Sequence, residues 1–152
     1  MNDKAKRFAA VAALATAIAV PAEGLRQWAY YDQPGILTVC YGSTKNVEKG
    51  RFYSLDECRA RLTADMMEAI NAVEKCHPNL PENIHAAFAD AVFNLGPRVA
   101  CDSTASRYLK AGNYEAACKE LPRWAYAKVA GVSVKLPGLV KRRNAEMQLC
   151  LG

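Results

Sequence analysis

The sequence predicts an α+β fold in which a small β-hairpin lobe is joined by a long helix to a mostly helical lobe. Near residue 30, aromatic and β-branched residues flank the turn sequence Asp-Gln-Pro-Gly, which is typical of a hairpin. A long amphipathic stripe and several shorter helical segments follow it. Because the 152 residues are 51% hydrophobic and 23% charged, they can bury one core, and we expect a single globular domain.

The first 22 residues have the composition of an export segment. Lys4, Lys6 and Arg7 precede residues 8–20, which carry no charge and are rich in alanine. With the Ala-x-Ala pattern at residues 17–19, this order matches the basic, apolar and cleavage regions of a signal peptide. As a helix the apolar stretch is about 20 Å long, against roughly 30 Å for the hydrocarbon core of a bilayer, so a permanent anchor is not expected. The alternative is an ordinary buried helix.

The hairpin and the long helix both have local signals in the sequence. A Pro-Gly turn at 34–35 separates the aromatic segment from the β-favouring run 36–41. Ser54 and Glu57 form a capping-box pattern, and apolar residues then recur every three or four positions until Pro78. We therefore expect a hairpin followed by one long helix.

The C-terminal half is predicted to be helical. Pro81 opens an almost entirely apolar helix that Gly96 ends, and such a helix belongs in the core. Three shorter helices are expected after it: one after Ser103, one after Asn113 and a last one over residues 136–149.

Six cysteines lie between positions 40 and 150, and an even number favours disulfides in an oxidising compartment. The sequence has no Cys-x-x-Cys pair, and two histidines, His77 and His85, are too few and too poorly spaced to complete a zinc site. No metal or other cofactor is therefore expected. Short loops favour sequential pairing, but the sequence does not fix the connectivity, and free thiols in the cytosol are the alternative. The sequential pairs are Cys40 with Cys58, Cys76 with Cys101, and Cys118 with Cys150.

The net charge of +5 lies at the two ends of the chain. Residues 1–7 and 135–152 carry the excess of basic residues, and the basic and acidic residues between them balance. This is not the continuous basic face of a nucleic-acid-binding protein, so no nucleic acid is expected as a partner. Mild positive charge fits an anionic cell wall or lipid surface, and equally a solvated surface with no partner.

Glu23 and Asp32 are the carboxyl groups best placed for chemistry. They flank the aromatic segment at its junction with the hairpin rather than lying on a charged helix face. Cleavage of a glycosidic bond requires two carboxyls in different environments, one that keeps its proton and one that is ionised. Helix capping and surface charge are the alternative, because spacing alone does not separate the two interpretations.

The residues around this pair resemble the catalytic motif of phage-type lysozymes, glycoside hydrolase family 24. The resemblance covers the chain from Glu23 to its end, and residues 1–22 resemble the signal-anchor-release segment of lambdoid-phage endolysins. We therefore divide the chain into this segment and a lysozyme-like catalytic domain, residues 23–152. The matching landmarks, in family order, are Glu23-Gly24, Asp32, Thr38, Tyr41-Gly42, Phe93 to Gly96, Ser103-Thr104, Glu120-Leu121 with Trp124, and Gly138-Leu139 with Arg142, Arg143 and Glu146.

The resemblance implies a muramidase that hydrolyses the β-1,4 bond between N-acetylmuramic acid and N-acetylglucosamine in peptidoglycan, for host lysis and phage release. Glu23 would protonate the glycosidic oxygen while Asp32 and Thr38 position the attacking water, an inverting arrangement with the carboxyls roughly 6.5 to 9.5 Å apart. It also implies a monomer that is tethered to the inner membrane through residues 8–20 and then released into the periplasm of a Gram-negative host.

Three further residues are expected to support the cleft. Asn94 is expected to cap or bridge backbone near it. Arg142 or Arg143 is expected to turn inward and pair with Glu23 or Asp32, and a basic helix face that meets solvent is the alternative.

The sequence also allows predictions for four residues outside this set. Ser43 stands where the family commonly has histidine, which removes an ion pair. Pro21 predicts that the first helix bends or restarts immediately before the catalytic acid. Trp124 and Tyr126 are assigned to a helical core face, with stacking on sugar rings as the alternative.

The sequence is also compatible with other functions and with other fates of the N-terminal segment. A disulfide-stabilised domain that binds glycan without cleaving it is one alternative, and a relative directed at chitin is another. Signal peptidase could cleave after Ala19, but we expect the segment to be retained and to refold as the first helix, because Glu23 needs a rigid support. Cys40, two residues after Thr38, is a candidate for coupling redox state to the cleft.

Overall fold

The computed structural model describes residues 2–32 and 34–152; Gln33, in the predicted hairpin turn, lies outside the described residues. A small hairpin lobe and a larger helical lobe are joined by one long helix, so the predicted α+β class is confirmed. In chain order the elements are α1 (Asp3–Glu23), β1 (Arg26–Tyr31), β2 (Leu37–Cys40), α2 (Leu55–Cys76), α3 (Glu82–Leu95), α4 (Arg98–Cys101), α5 (Thr104–Lys110), α6 (Tyr114–Glu120), a 3₁₀ turn (Leu121–Arg123), β3 (Tyr126–Val129), β4 (Val132–Lys135) and α7 (Pro137–Leu151).

Helix α1 contains the whole apolar stretch and ends at Glu23. Its first turn is capped by Asn2, whose side chain accepts a hydrogen bond from the amide of Ala5 at 2.8 Å. By length and composition this helix is able to cross a membrane. The helix continues through Pro21, so the predicted restart before Glu23 is wrong. One stripe at helical spacing is buried against α2 and α3: Phe8, Val11, Ala15 and Ala19.

The hairpin lobe is formed by β1 and β2, which pair in antiparallel fashion. Thr38 lies opposite Tyr30, and a bulge between Arg26 and Tyr30 interrupts the ladder. The lobe has its own small core, separate from the main one, of Val39, Cys40, Tyr53 and Cys58.

Helix α2 connects the lobes, and α3 forms the centre of the helical lobe. The predicted capping box at the start of α2 is present, with Ser54 and Glu57 exchanging two hydrogen bonds of 3.1 Å. Residues 84–92 of α3 are all buried, and the helix packs against α1, α2 and α7. The central position of α3 explains why its sequence is apolar around most of its circumference.

Three disulfides cross-link the elements in the order of the cysteines along the chain. Cys40–Cys58 joins β2 to α2, Cys76–Cys101 joins α2 to α4, and Cys118–Cys150 joins α6 to α7. The first bridge fixes the strand that carries Thr38 to the connecting helix.

The segment between α6 and α7 contains two strands that the sequence did not predict. Strands β3 and β4 form an antiparallel hairpin whose turn residues, Ala130 and Gly131, both have positive φ angles. Trp124 packs against the main core, as predicted. Tyr126 lies on a strand, β3, and is exposed, so the predicted helical core face is wrong for Tyr126. The hairpin is exposed along most of both strands, so neither strand has one buried face and one exposed face.

Candidate active site

Glu23 lies at the junction of the two lobes, between two cavities. It lines a cavity of about 490 Å³ between α1, the end of α3 and α7. Gly42, in the loop after β2, lines a second cavity of about 280 Å³ that faces α2 and α3. A Cβ atom on Gly42 would stand 2.8 Å from Oε2 of Glu23, so the backbone of the hairpin lobe rests directly against this carboxyl group.

Arg142 of α7 connects Glu23 to a buried carboxylate. Its Nη1 donates to Oε1 of Glu23 at 2.6 Å, while Nε and Nη2 each donate to one carboxylate oxygen of Asp90 at 2.9 Å. Arg142 is 6% exposed and Asp90 is fully buried. Because Asp90 and Glu23 stabilise the charged guanidinium, they raise the pKa of Arg142 in spite of its burial.

Arg143 turns away from Glu23 and pairs with Glu146 one helical turn later. Its Nε and Nη2 donate to the two carboxylate oxygens of Glu146 at 2.6 and 2.7 Å, and both side chains are fully buried. Burial, together with a hydrogen bond shared with Asp90, raises the pKa of Glu146 to about 9 against the opposing effect of Arg143. Both arginines therefore turn inward and contact carboxyl groups, and the alternative of a basic face that meets solvent is wrong for both.

Asp32 and Thr38 are both anchored to Ile36 at the end of the hairpin. Oδ1 of Asp32 accepts a hydrogen bond from the amide of Ile36 at 2.7 Å. The hydroxyl of Thr38 donates to the carbonyl of Ile36 at 2.8 Å and is buried. Within residues 2–32 and 34–152, these contacts leave the second Asp32 oxygen and the acceptor lone pairs of Thr38 for other partners.

Asn94 lines the same cavity as Glu23 and Arg142. Its Oδ1 is buried and has no hydrogen-bond partner within the described part of the chain. Asn94 therefore presents a polar group at the cavity without capping a helix in this structure, unlike Asn2 or Asn113.

Ser43 is buried and takes part in a polar network instead of an ion pair. Its hydroxyl accepts a hydrogen bond from Arg61 at 3.1 Å, and Arg61 also donates to the carbonyl of Lys45 at 2.6 Å. Ser43 further hydrogen-bonds Asp65, whose pKa is raised mainly by burial. Two side chains of α2 thus hold the loop that carries Gly42.

The sequence did not identify Asp90 as part of the site. Its signal was present, because a lone carboxylate within an apolar helix must find a cation or lose its charge. Its partner lies 52 residues further along the chain and becomes apparent only when α3 and α7 pack. Within residues 2–32 and 34–152, no group of three or more His, Cys, Asp or Glu side chains is arranged to hold a metal ion.

Comparisons with known proteins agree on one family. A family model described as phage lysozyme matches residues 20–146. A SAR-endolysin of Bacteriophage PS119 is 36% identical over 85% of this chain and 76% of its own length. A SAR-endolysin of Pseudomonas phage phiKMV is 32% identical over 99% of this chain and 93% of its own.

Solved structures share the fold. The muramidase domain of SpmX from Asticaccaulis excentricus superposes with a TM-score of 0.81 at 27% identity, covering 94% of this chain and 95% of that one. The active form of the P1 phage endolysin Lyz superposes with a TM-score of 0.80 at 24% identity, covering 91% of this chain and 83% of that one. The secreted inactive form of the same endolysin superposes with a TM-score of 0.53 at 22% identity, covering 70% of this chain and 74% of that one.

Proposed function

The chain belongs to the phage lysozyme family, and on this premise we propose that it is an endolysin. As a muramidase it hydrolyses the β-1,4 bond between N-acetylmuramic acid and N-acetylglucosamine in peptidoglycan, which lyses the host cell and releases phage. The observation that carries the proposal is the position of Glu23, held 2.6 Å from Arg142 where the hairpin lobe meets the helical lobe.

Glu23 acts as the general acid and protonates the leaving glycosidic oxygen. Asp32, as a carboxylate, and Thr38, through its free lone pairs, orient the water that attacks the opposite face of the sugar. The shared anchoring of both residues on Ile36 supports this pairing, because it keeps the two groups in fixed relation.

The substitution Glu23→Gln tests the assignment of the acid. We expect it to abolish lysis of chloroform-treated Gram-negative cells and to leave the thermal unfolding transition in place, because the amide keeps the shape but cannot donate the proton. Glu82→Gln, at the exposed start of α3, is the matched control and should lyse cells normally. A folded Glu23→Gln protein that still lyses cells would reject the mechanism.

The stereochemistry of the product tests the role of Asp32. An inverting enzyme has carboxyls roughly 6.5 to 9.5 Å apart and releases the α-anomer first from a β-linked substrate. NMR during hydrolysis of peptidoglycan shows which anomer is released first. If the first product were the β-anomer, Asp32 would instead be a nucleophile. Turnover of chitin oligomers in parallel separates a muramidase from a chitin-directed enzyme.

The N-terminal segment serves as a releasable anchor. We infer that α1 first spans the inner membrane and then leaves it and docks on α2 and α3, which gives Glu23 its support and frees a monomer in the periplasm. The greater similarity to the active than to the secreted inactive form of the P1 endolysin supports a docked α1 in the working enzyme. The intact mass of protein from lysing cells decides the point, since cleavage after Ala19 would remove most of α1.

A further inference from the structure

The strongest unassigned feature is the buried carboxylate of Asp90. It accepts two hydrogen bonds of 2.9 Å from one edge of the Arg142 guanidinium, whose remaining nitrogen donates to Glu23 at 2.6 Å. The guanidinium is planar and rigid, so a bidentate contact on one edge determines where the third nitrogen points. One cation is thus shared between a fully buried carboxylate and the proposed acid.

We propose that Asp90 is a positioning residue that aims Arg142 at Glu23 and offsets the charge of Arg142. This inference rests on the proposed role of Glu23. With Asp90 present, the guanidinium of Arg142 is held in one orientation, and its third nitrogen fixes the orientation of the Glu23 carboxyl.

The other charged groups near Glu23 do not replace Asp90. On α7, Arg143 is taken up by Glu146, and Lys141 is exposed at the rim of the cavity. On α3, Asn94 is neutral, and in the hairpin lobe Gly42 offers only backbone while Asp32 is tied to Ile36. The balance of charge at Arg142 is therefore set by Asp90 and Glu23, with Glu146 next to Asp90.

The substitution Asp90→Asn tests the proposal on soluble peptidoglycan fragments. We expect kcat to fall by about 10- to 100-fold with KM little changed, because a misplaced acid affects the chemical step more than binding. We also expect the basic limb of the activity profile to move to lower pH, because an uncompensated Arg142 favours ionised Glu23. Asp102→Asn, an exposed carboxylate at the end of α4, is the matched control and should change neither quantity.

A second variant keeps the test decisive if Asp90→Asn does not fold. Arg142→Lys keeps the charge but loses the rigid fork, so kcat should fall while the pH limb stays in place. Wild-type kcat in Arg142→Lys, or a folded Asp90→Asn protein with the wild-type kcat and pH profile, would overturn the proposal. If Glu23→Gln is inactive, either of these results overturns only the role of Asp90 and does not affect the proposed function. If Glu23→Gln is active, the proposed function itself is wrong.

Discussion

Gly42 shows how a single residue shapes the site without any side chain. Its φ angle of +76° lies in the region that favours glycine, and the place where a Cβ would stand is 2.8 Å from Glu23 Oε2. Gly50 has the same φ angle of +76° but nothing within 4 Å of the corresponding position. A comparison of the two glycines therefore distinguishes the effect of backbone strain from the effect of contact with Glu23, the proposed acid.

We expect Gly42→Ala to lower both stability and activity. The strained backbone should reduce the free energy of unfolding by about 1–2 kcal/mol, and displacement of Glu23 should reduce lytic activity by about 100-fold. Gly50→Ala, measured by the same urea unfolding and lysis assays, should show the first effect without the second. Equal activities of the two variants would mean that contact between Gly42 and Glu23 is unimportant.

The sequence could identify Glu23, Asp32 and Thr38 because a local motif carries them, and it predicted that Arg142 or Arg143 pairs with one of the two carboxyls. It could not predict the contribution of Asp90. Asp90 and Arg142 are distant in sequence, and only the packing of α3 on α7 places their charges together. The same pattern of two adjacent arginines left open which one faces Glu23. Helical geometry decides it, because Arg143 shares a buried face with Glu146 one turn later.

Helix α1 is held by polar contacts at its start as well as by its apolar stripe. Nη2 of Arg7 donates to the two carboxylate oxygens of Glu74 on α2 at 2.9 and 2.7 Å. The hydrogen bond from Arg7 is the main reason that the pKa of Glu74 is lowered. Both side chains are mostly shielded from water, so this pair contributes more than a surface ion pair.

We expect Arg7→Ala to weaken the docking of α1. The free energy of unfolding should fall by about 1–3 kcal/mol, because Glu74 loses its charged donor in a half-buried position. Amide hydrogens of the first turns of α1 should also exchange faster. Lys6→Ala removes a neighbouring but exposed cation and serves as the control. If Arg7→Ala behaved as Lys6→Ala does, the apolar stripe alone would hold the helix.

Elements with a strong amphipathic signal were predictable, and elements without one were not. Helices α2 and α3 follow their apolar periodicity and their Pro, Gly and capping signals closely. The β3–β4 hairpin buries little. Strand β4 alternates apolar and polar residues over only four positions, β3 does not alternate, and the turn is marked by a glycine after Ala130. Helix α4 has four residues and is too short to show a helical period.

In the whole molecule, the disulfides complement a core that is divided between two lobes. The bridges close loops with sequence separations of 18, 25 and 32 residues. In the chain-entropy view, each contributes about 3–4 kcal/mol, so together they are comparable to the total stability of an ordinary domain, about 5–15 kcal/mol. The folded state is therefore favoured in an oxidising compartment, where the proposed substrate lies.

The pH dependence of stability follows from His77 and His85, the two histidines of the chain. Burial lowers the pKa of each below 6.5. His85 contacts the carbonyl of Ile70 at 3.0 Å, and its other ring nitrogen lies 3.5 Å from the Arg7 guanidinium, so a second proton would oppose a cation. The folded state holds both rings neutral. Their contribution to the free energy of unfolding is therefore complete above pH 6.5 and is lost as the pH falls through their folded-state pKa values. We expect the stability of the double variant His77→Gln/His85→Gln to approach that of the wild type on acidification, as measured by urea unfolding between pH 5 and 8. If the two stability curves ran parallel over this range, the histidines would not be the cause of the pH dependence.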